Sequence, residues 1–342
     1  MAPLTYGDIT TAADRISGRI RPVTLAPLDI DVLRPAPGTG SVAGPGVGEG
    51  AQEPYRLHAA LEFLQHTGSF KARGAANFVR AHRDAGTLPE AGVAIASGGN
   101  AGLACAWAAR LHGARATVFL PGTAPEVKRA GLLRYGADVR LVGTEYAEAL
   151  AACEEFTART GALASHAYDH PLIAAGAGTL LEEIHRRLPD LDTVIVAVGG
   201  GGLFAGVATA ARHHGVRTVA VEPEGCRALN AAVEAGRPVD VTVRSVASDS
   251  LGARRVSAMA LEAALRDGVR SVLVPDEEIV RARRGLWEEY RIAVEHGAAT
   301  ALAALTGPDP AYRPGPGERV CVVLCGSNTG LGSLEQPAGQ QL

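Results

Sequence analysis

Residues 193–206 read TVIVAVGGGGLFAG and predict a strand, a glycine turn and a helix in succession. The five residues after Thr193 are strictly apolar, which is typical of a strand buried on both faces of a parallel sheet. Four glycines, Gly199 to Gly202, follow, and residues 203–214 have a helical pattern. Glycine lets backbone N–H groups approach an anion closely. The stretch therefore predicts an α/β protein with a phosphate-binding turn.

The same residues leave one alternative open. Gly200-x-Gly202-x-x-Ala205 fits the dinucleotide fingerprint, and Glu222 ends the next predicted strand 22 residues after Gly200. An NAD-dependent oxidoreductase using residues 200–205 is thus a competing hypothesis. Against it, the unit comes late in the chain and the fourth glycine is superfluous.

Strand and helix patterns alternate on both sides of this stretch, which implies mainly parallel sheets. Further strands are predicted at 93–97, 116–121, 137–143 and 217–223, and helices at 8–19, 101–111, 125–135, 145–160 and 176–188. Residues 34–54 are rich in glycine and proline and are expected to form a flexible surface loop.

Composition argues against several classes of protein. The 342 residues include 33 basic and 36 acidic side chains without a basic stripe, and aromatic residues are 4%, so a nucleic-acid partner is not expected. No apolar run reaches the length of a membrane span, and the N-terminus lacks the apolar core of a signal peptide. The five cysteines are scattered, with no C-x-x-C pair. They indicate reduced thiols and a cytoplasmic location.

Lysine is rare, because only Lys71 and Lys128 are present among the 33 basic residues. Arginine serves for surface charge, but it cannot lose its proton and act as an amine nucleophile. Lys71 lies in LEFLQHTGSFKARGA, residues 61–75, where Ser69 is the expected N-cap of a helix. The first turn of a helix and partial burial both favour a neutral amine, as imine chemistry requires.

Two further segments place small and polar residues after predicted strands. IASGGNAGLACAWAAR, residues 95–110, forms a strand, a turn and a helix whose N-terminus is suited to a carboxylate. RVCVVLCGSNTG, residues 319–330, ends a strand at Cys325, where α/β sheets place ligands, whereas Cys321 is expected in the core.

The motifs TGSFKARGA, SGGNAG, VGGGGLFAG and LCGSN, in this order, resemble those of fold type II pyridoxal-phosphate enzymes. This superfamily includes threonine and serine dehydratases, serine racemase and the tryptophan synthase β subunit, and weaker likeness runs from about residue 20 to 330. The resemblance implies two open, mainly parallel twisted sheets flanked by helices. It implies a large domain of 1–91 plus 170–342, a small domain of 92–169, and a homodimer.

The resemblance also implies roles for individual residues. Lys71 would hold pyridoxal 5'-phosphate as an imine and later act as the base at the substrate Cα. Cofactor contacts would come from Phe70 against the ring, Asn100 at the 3'-oxygen, Gly199, Gly200, Gly201, Gly202 and Leu203 at the phosphate, and Cys325 at the pyridine nitrogen. The substrate carboxylate loop would comprise Ser97, Gly99, Asn100 and Ala101. Glu295 would lie near the ring or make a structural hydrogen bond.

The reaction implied is β-elimination of L-serine or L-threonine to a 2-oxo acid and ammonia. A lyase or synthase acting on another β- or γ-substituted amino acid is the alternative with the same cofactor. Two departures from the family pattern refine the expectation. Gly98 stands where racemases carry a second acid–base serine, so racemisation is expected to be weak. Ala228 stands where relatives carry a cation ligand partnering Glu222, so no metal is expected.

Overall fold

The computed structural model describes residues 3–33, 55–330 and 332–335. The predicted loop at 34–54 lies outside the described residues. None of the helices in the described ranges combines the length and apolar character that a membrane span requires.

The helices and strands follow one another along most of the described chain. The strands are β1 (Leu25–Leu28), β2 (Arg56–Ala60), β3 (Val93–Ala96), β4 (Ala116–Leu120), β5 (Asp138–Leu141), β6 (Leu163–Ala164), β7 (Thr193–Ala197), β8 (Arg217–Pro223), β9 (Val269–Val274) and β10 (Arg319–Val323). The helices are α1 (Tyr6–Ile16), α2 (Ile30–Leu33), α3 (Lys71–Asp84), α4 (Asn100–Leu111), α5 (Glu126–Arg134), α6 (Tyr146–Thr160), α7 (Pro171–Arg187), α8 (Gly202–His213), α9 (Ala228–Ala235), α10 (Ser248–Leu251), α11 (Ala258–Ala264), α12 (Asp276–Tyr290), α13 (His296–Thr306) and α14 (Gly332–Glu335).

The larger sheet has, within the described residues, six strands in the order β1-β2-β10-β7-β8-β9. All neighbours are parallel except β1 and β2, which pair antiparallel at one edge. Every residue of β7 is buried, as its unbroken apolar sequence predicts. Helix α13 is buried from Gly297 to Thr306 and packs against β7 and β8.

The smaller sheet contains, in the described part of the chain, four parallel strands in the order β5-β4-β3-β6. All residues of β3 and β4 are buried. Helix α3 packs against α4 beside this sheet and against α7 beside the larger one. The predicted architecture of two mainly parallel sheets flanked by helices is therefore present, and α3 lies where the two layers meet.

Three strand ends converge on this junction because the carboxyl ends of parallel strands share one edge of a sheet. Strand β7 leads into Gly199, β10 leads into Cys325, and β3 leads into Ser97. The antiparallel bridge between Ser69 and Gly326 ties the segment before α3 to the end of β10.

Candidate active site

Lys71 is the first residue of helix α3. Its Nζ donates a hydrogen bond to the carbonyl oxygen of Ala167 at 2.7 Å and lies 4.8 Å from the centre of the Phe70 ring. Burial lowers the pKa of Lys71 to about 8. The site therefore provides a primary amine that is partly neutral near physiological pH.

The predicted N-cap at Ser69 is wrong. Ser69 is extended, with φ −160° and ψ 158°, and its hydroxyl is buried with no hydrogen-bond partner among the described residues. The bridge to Gly326 holds this backbone in the extended form, and Phe70 is the residue that precedes the helix. A tertiary contact has overridden a local preference. Lys71 still lies in the first turn, as predicted.

The glycine turn between β7 and α8 is packed closely on its outer side. Gly201 has φ 92°, a left-handed conformation that favours glycine. A Cβ atom at Gly200 would lie 2.3 Å from the Tyr168 ring, and one at Gly201 would lie 2.3 Å from Cβ of Ala260. The first N–H groups of α8 have no partner within the helix. The turn is a cradle suited to a phosphate group.

The last residues of this cradle and Lys71 line one small cavity. Its lining includes Phe70, Lys71, Ala167, Gly202 and Leu203. Among the predicted phosphate-binding residues, Gly202 and Leu203 thus lie next to the predicted attachment point. The apolar walls explain why the Lys71 amine is desolvated.

Asn100 joins the two sheets through a polar cluster. Its Nδ2 donates to both carboxylate oxygens of Glu295 at 3.0 Å, and its Oδ1 accepts from Nδ2 of Asn328 at 2.6 Å. The backbone N–H of Asn328 also donates to Glu295, at 2.8 Å. Burial raises the pKa of Glu295, whereas these hydrogen bonds oppose that rise.

Asn328 is absent from the sequence-based site assignment, which gives Glu295 a structural hydrogen bond as one of two roles but does not name its partner. The motifs that contain both residues are visible in the sequence, but 195 residues separate Asn100 from Glu295 and 228 separate it from Asn328. No local pattern indicates a pairing at such a distance.

Cys325 follows β10 and is buried near Lys71 and Glu295. Its carbonyl oxygen accepts a hydrogen bond from the backbone N–H of Phe70 at 3.0 Å, which fixes it beside the Lys71 helix. Burial raises the pKa of the Cys325 thiol to about 12, so the thiol is protonated at neutral pH. The group predicted to face the pyridine nitrogen is therefore uncharged.

The predicted carboxylate loop lies between β3 and α4 and includes Ser97, Gly99, Asn100 and Ala101. Helix α4 begins at Asn100, with Gly99 extended before it. A Cβ atom at Gly98 would lie 2.8 Å from Cδ2 of Leu120, so this position has no room for a larger side chain without movement of Leu120. The loop presents a helix N-terminus with little side-chain bulk, which suits a small anion.

A buried ionic cluster supports the Lys71 helix and was not predicted. Arg73 is fully buried and donates from Nε and Nη2 to Glu62, each at 2.7 Å. It also donates to Glu183 at 2.7 Å and to Thr179 at 3.2 Å. An arginine in a first helical turn gives no signal of burial, because its partners come from distant segments.

The Glu222 carboxylate is occupied by hydrogen bonds within the protein. Its fully buried carboxylate accepts hydrogen bonds from the N–H groups of Leu229 at 2.7 Å and Asn230 at 2.8 Å, at the start of α9. Burial raises the pKa of Glu222 to about 7. A ribose would need this carboxylate at an open surface, so the dinucleotide alternative has no acceptor here. With Ala228 beside it, the pair does not fit a divalent cation either.

A desolvated amine and a glycine cradle at one cavity, with a protonated thiol nearby, define an enzyme that holds a phosphorylated aldehyde cofactor. The residues fit pyridoxal 5'-phosphate. The family described as pyridoxal-phosphate dependent enzyme matches residues 43–326, and the chain belongs to that family. Pyridoxal phosphate is its cofactor, as predicted.

Individual relatives indicate which kind of pyridoxal-phosphate enzyme the chain is similar to. The chain is 39% identical over 254 residues to L-threonine ammonia-lyase of Geobacter sulfurreducens, covering 73% of this chain and 62% of the relative's length. It is 38% identical over 249 residues to the serine dehydratase-like protein of Mus musculus, covering 71% and 74%. The structure of maize serine racemase superposes with a TM-score of 0.84 at 27% identity, covering 97% and 96%. The predicted fold type II assignment and the class of pyridoxal-phosphate-dependent ammonia-lyases are confirmed.

Proposed function

We propose that the protein catalyses β-elimination of L-threonine or L-serine, releasing a 2-oxo acid and ammonia. The observation that carries the proposal is the desolvated Lys71 amine in a cavity shared with Gly202 and Leu203. The relatives named threonine ammonia-lyase and serine dehydratase-like support this choice of substrates.

Lys71 has two tasks in this proposal. Its neutral amine would hold the cofactor, and the same amine, when free, would take the proton from the substrate Cα. The cofactor, when bound, supplies a ring that accepts the electron pair of the broken Cα–H bond. Lowered pKa serves the second task as well, because a protonated lysine cannot act as a base.

The other predicted residues hold the reacting groups in position. Backbone N–H groups of residues 199–203 bind the phosphate, and Phe70 packs against the ring. Asn100 holds the ring oxygen, with its own orientation fixed by Glu295 and Asn328. The uncharged Cys325 thiol would be the partner of the ring nitrogen, and the ring would then be a weaker electron acceptor than with a carboxylate partner. This favours prompt loss of the β-hydroxyl.

The substrate carboxylate is held by the loop of Ser97, Gly99, Asn100 and Ala101 on the small domain, residues 92–169. Closure of this domain against the large domain excludes water and completes the site. The Asn100–Glu295 hydrogen bonds join elements of both sheets and support such a closed arrangement.

Elimination rather than racemisation follows from the loop. Racemisation needs a second acid–base group on the other face of the substrate, and Gly98 has none. A Cβ atom at this position would lie 2.8 Å from Cδ2 of Leu120, so a side chain there would require the Leu120 side chain to move. Purified enzyme should form pyruvate from L-serine faster than it forms D-serine, and the reverse ratio would contradict this assignment.

We further propose a cytoplasmic homodimer. The five cysteines are free in the described structure, which supports a reducing compartment. Light scattering of the holoenzyme at several concentrations tests the dimer, and a mass of one chain throughout would contradict it.

The activity is tested with a panel of β-hydroxy amino acids, measuring 2-oxo acid with a coupled reductase. We expect turnover of L-threonine or L-serine that is lost in Lys71→Ala. A colourless protein that forms no borohydride-stable adduct with pyridoxal phosphate would refute the proposal. Turnover confined to another β- or γ-substituted amino acid would favour the alternative lyase or synthase.

A further inference from the structure

The second lysine of the chain lies beside the carboxylate loop, although it is distant from that loop in sequence. A Cβ atom at Gly98 would lie 3.8 Å from Cδ of Lys128. Nζ lies two bonds beyond Cδ, so the ammonium group can reach the space above the loop. Lys128 lies in the first turn of α5 and its side chain is exposed.

The packing of α5 against α4 explains this placement. Leu132, one turn after Lys128, is the buried residue of α5, and a Cβ at Gly102 would lie 3.5 Å from its Cδ2. Likewise, a Cβ at Gly131 would lie 3.1 Å from Cδ2 of Leu103. Residues four apart share a helix face, so Lys128 projects over the start of α4.

The charge of Lys128 is left available. Among the residues that the structure describes, no carboxylate forms an ion pair with it, and the nearby Glu126 pairs with Arg129 at 3.6 Å. The chain otherwise uses arginine almost throughout, since lysine supplies only two of its 33 basic residues.

We propose that Lys128 is a substrate-binding residue whose ammonium pairs with the α-carboxylate of the amino acid on the loop after β3. The inference rests on the proposed function and assigns a specificity contact within it. The N-terminus of α4 supplies backbone donors and a favourable field, and Lys128 adds a full positive charge with three N–H donors. A compact ammonium on a flexible stem can follow the substrate during domain closure.

The test compares Lys128→Met, Lys128→Arg and Arg129→Met in the holoenzyme. Arg129→Met is the matched control, because it removes the same charge from the neighbouring exposed position of the same helix. We expect Lys128→Met to raise KM for L-threonine about tenfold with kcat nearly unchanged, since uniform binding is lost. Lys128→Arg should recover most of this loss, and Arg129→Met should match the wild type.

A second readout separates binding from turnover. L-Alanine has no β leaving group, so its Kd can be followed through the absorbance of the bound cofactor. Lys128→Met should weaken L-alanine binding about tenfold but leave binding of L-alanine methyl ester, which lacks the carboxylate, unchanged.

The inference is overturned if Lys128→Met binds the acid as tightly as the wild type does, if it weakens binding of the acid and the ester equally, or if Arg129→Met has the same effect as Lys128→Met. DL-3-hydroxyaspartate is assayed as a further substrate. If Lys128 instead pairs with a β-carboxylate, Lys128→Met should raise KM for this substrate only. Wild-type protein that binds pyridoxal phosphate but releases no 2-oxo acid from any substrate would refute the proposed function separately.

Discussion

Attachment of the cofactor should follow the ionisation of Lys71. Only the neutral amine attacks the cofactor aldehyde, and burial lowers the pKa of Lys71 from 10.5 to about 8. At pH 7, an amine with a pKa of about 8 is about 9% neutral, whereas one with a pKa of 10.5 is about 0.03% neutral. The structure thus predicts an advantage of about 300-fold in reactive amine over an exposed lysine at that pH.

The assay mixes cofactor-free protein with pyridoxal phosphate between pH 6.5 and 9.5 and follows the visible absorbance of the lysine adduct. A small model amine measured in parallel corrects for the cofactor's own titrations. The corrected rate should rise with pH and level off above about 8, because the pKa of Lys71 is lowered rather than raised. Lys71→Arg should form no adduct, and Lys128→Arg should behave as the wild type. A rate that still rises tenfold per pH unit above pH 9 would refute the reasoning.

Three other predictions concern the cradle, the polar cluster and the buried ionic cluster. Gly201→Ala should raise the Kd for pyridoxal phosphate at least tenfold by absorbance titration, because φ is 92° at this position and a Cβ would lie 2.3 Å from a neighbouring side chain. Gly86→Ala is the control and should leave this Kd unchanged, because the space around Gly86 is open. Glu295→Gln places a donor against the Asn100 amide, so kcat/KM should fall about tenfold or more with a small change in melting temperature, and unchanged kcat/KM would remove the pair from the site's positioning. Arg73→Met removes the partner of the buried Glu62 carboxylate and of the partly buried Glu183 carboxylate, and it should lower the free energy of unfolding in urea by about 3–5 kcal/mol, whereas a loss below about 1 kcal/mol would contradict the ionic cluster's role.

The elements that sequence predicts well are those whose local composition and burial agree. Residues 193–198 are predicted as a strand and 193–197 form one, because an apolar run fits the centre of a parallel sheet. Helix α7 begins at Pro171 rather than at 176, since proline is tolerated in the first turn and the His170 ring accepts a hydrogen bond from the Leu172 N–H. That cap depends on a histidine, which sequence rules do not count as a capping residue.

The residues of the site also differ in how well the sequence predicts them. Lys71 and the glycine turn are evident from residue type, spacing and the strand-to-helix context. The partners of Asn100 and Arg73 are not, because they come from segments that only the topology brings together. The domain boundaries at 91/92 and 169/170 stay a prediction.

The charge state of the groups around Lys71 determines how reactive its amine is. Negative charge on Cys325 or Glu295 would raise the pKa of Lys71, and the amine would then be protonated and unreactive. Burial removes the first charge by keeping the Cys325 thiol protonated. The amides of Asn100 and Asn328 instead stabilise the charged Glu295 carboxylate, and burial of Lys71 lowers its pKa against that remaining charge. A carboxylate in place of Cys325 would act against the depressed pKa that burial gives Lys71. The neutral Cys325 thiol therefore has two effects: it keeps the Lys71 amine reactive, and it leaves the cofactor ring a weak electron acceptor. Both effects favour rapid elimination over reactions that need a long-lived carbanion.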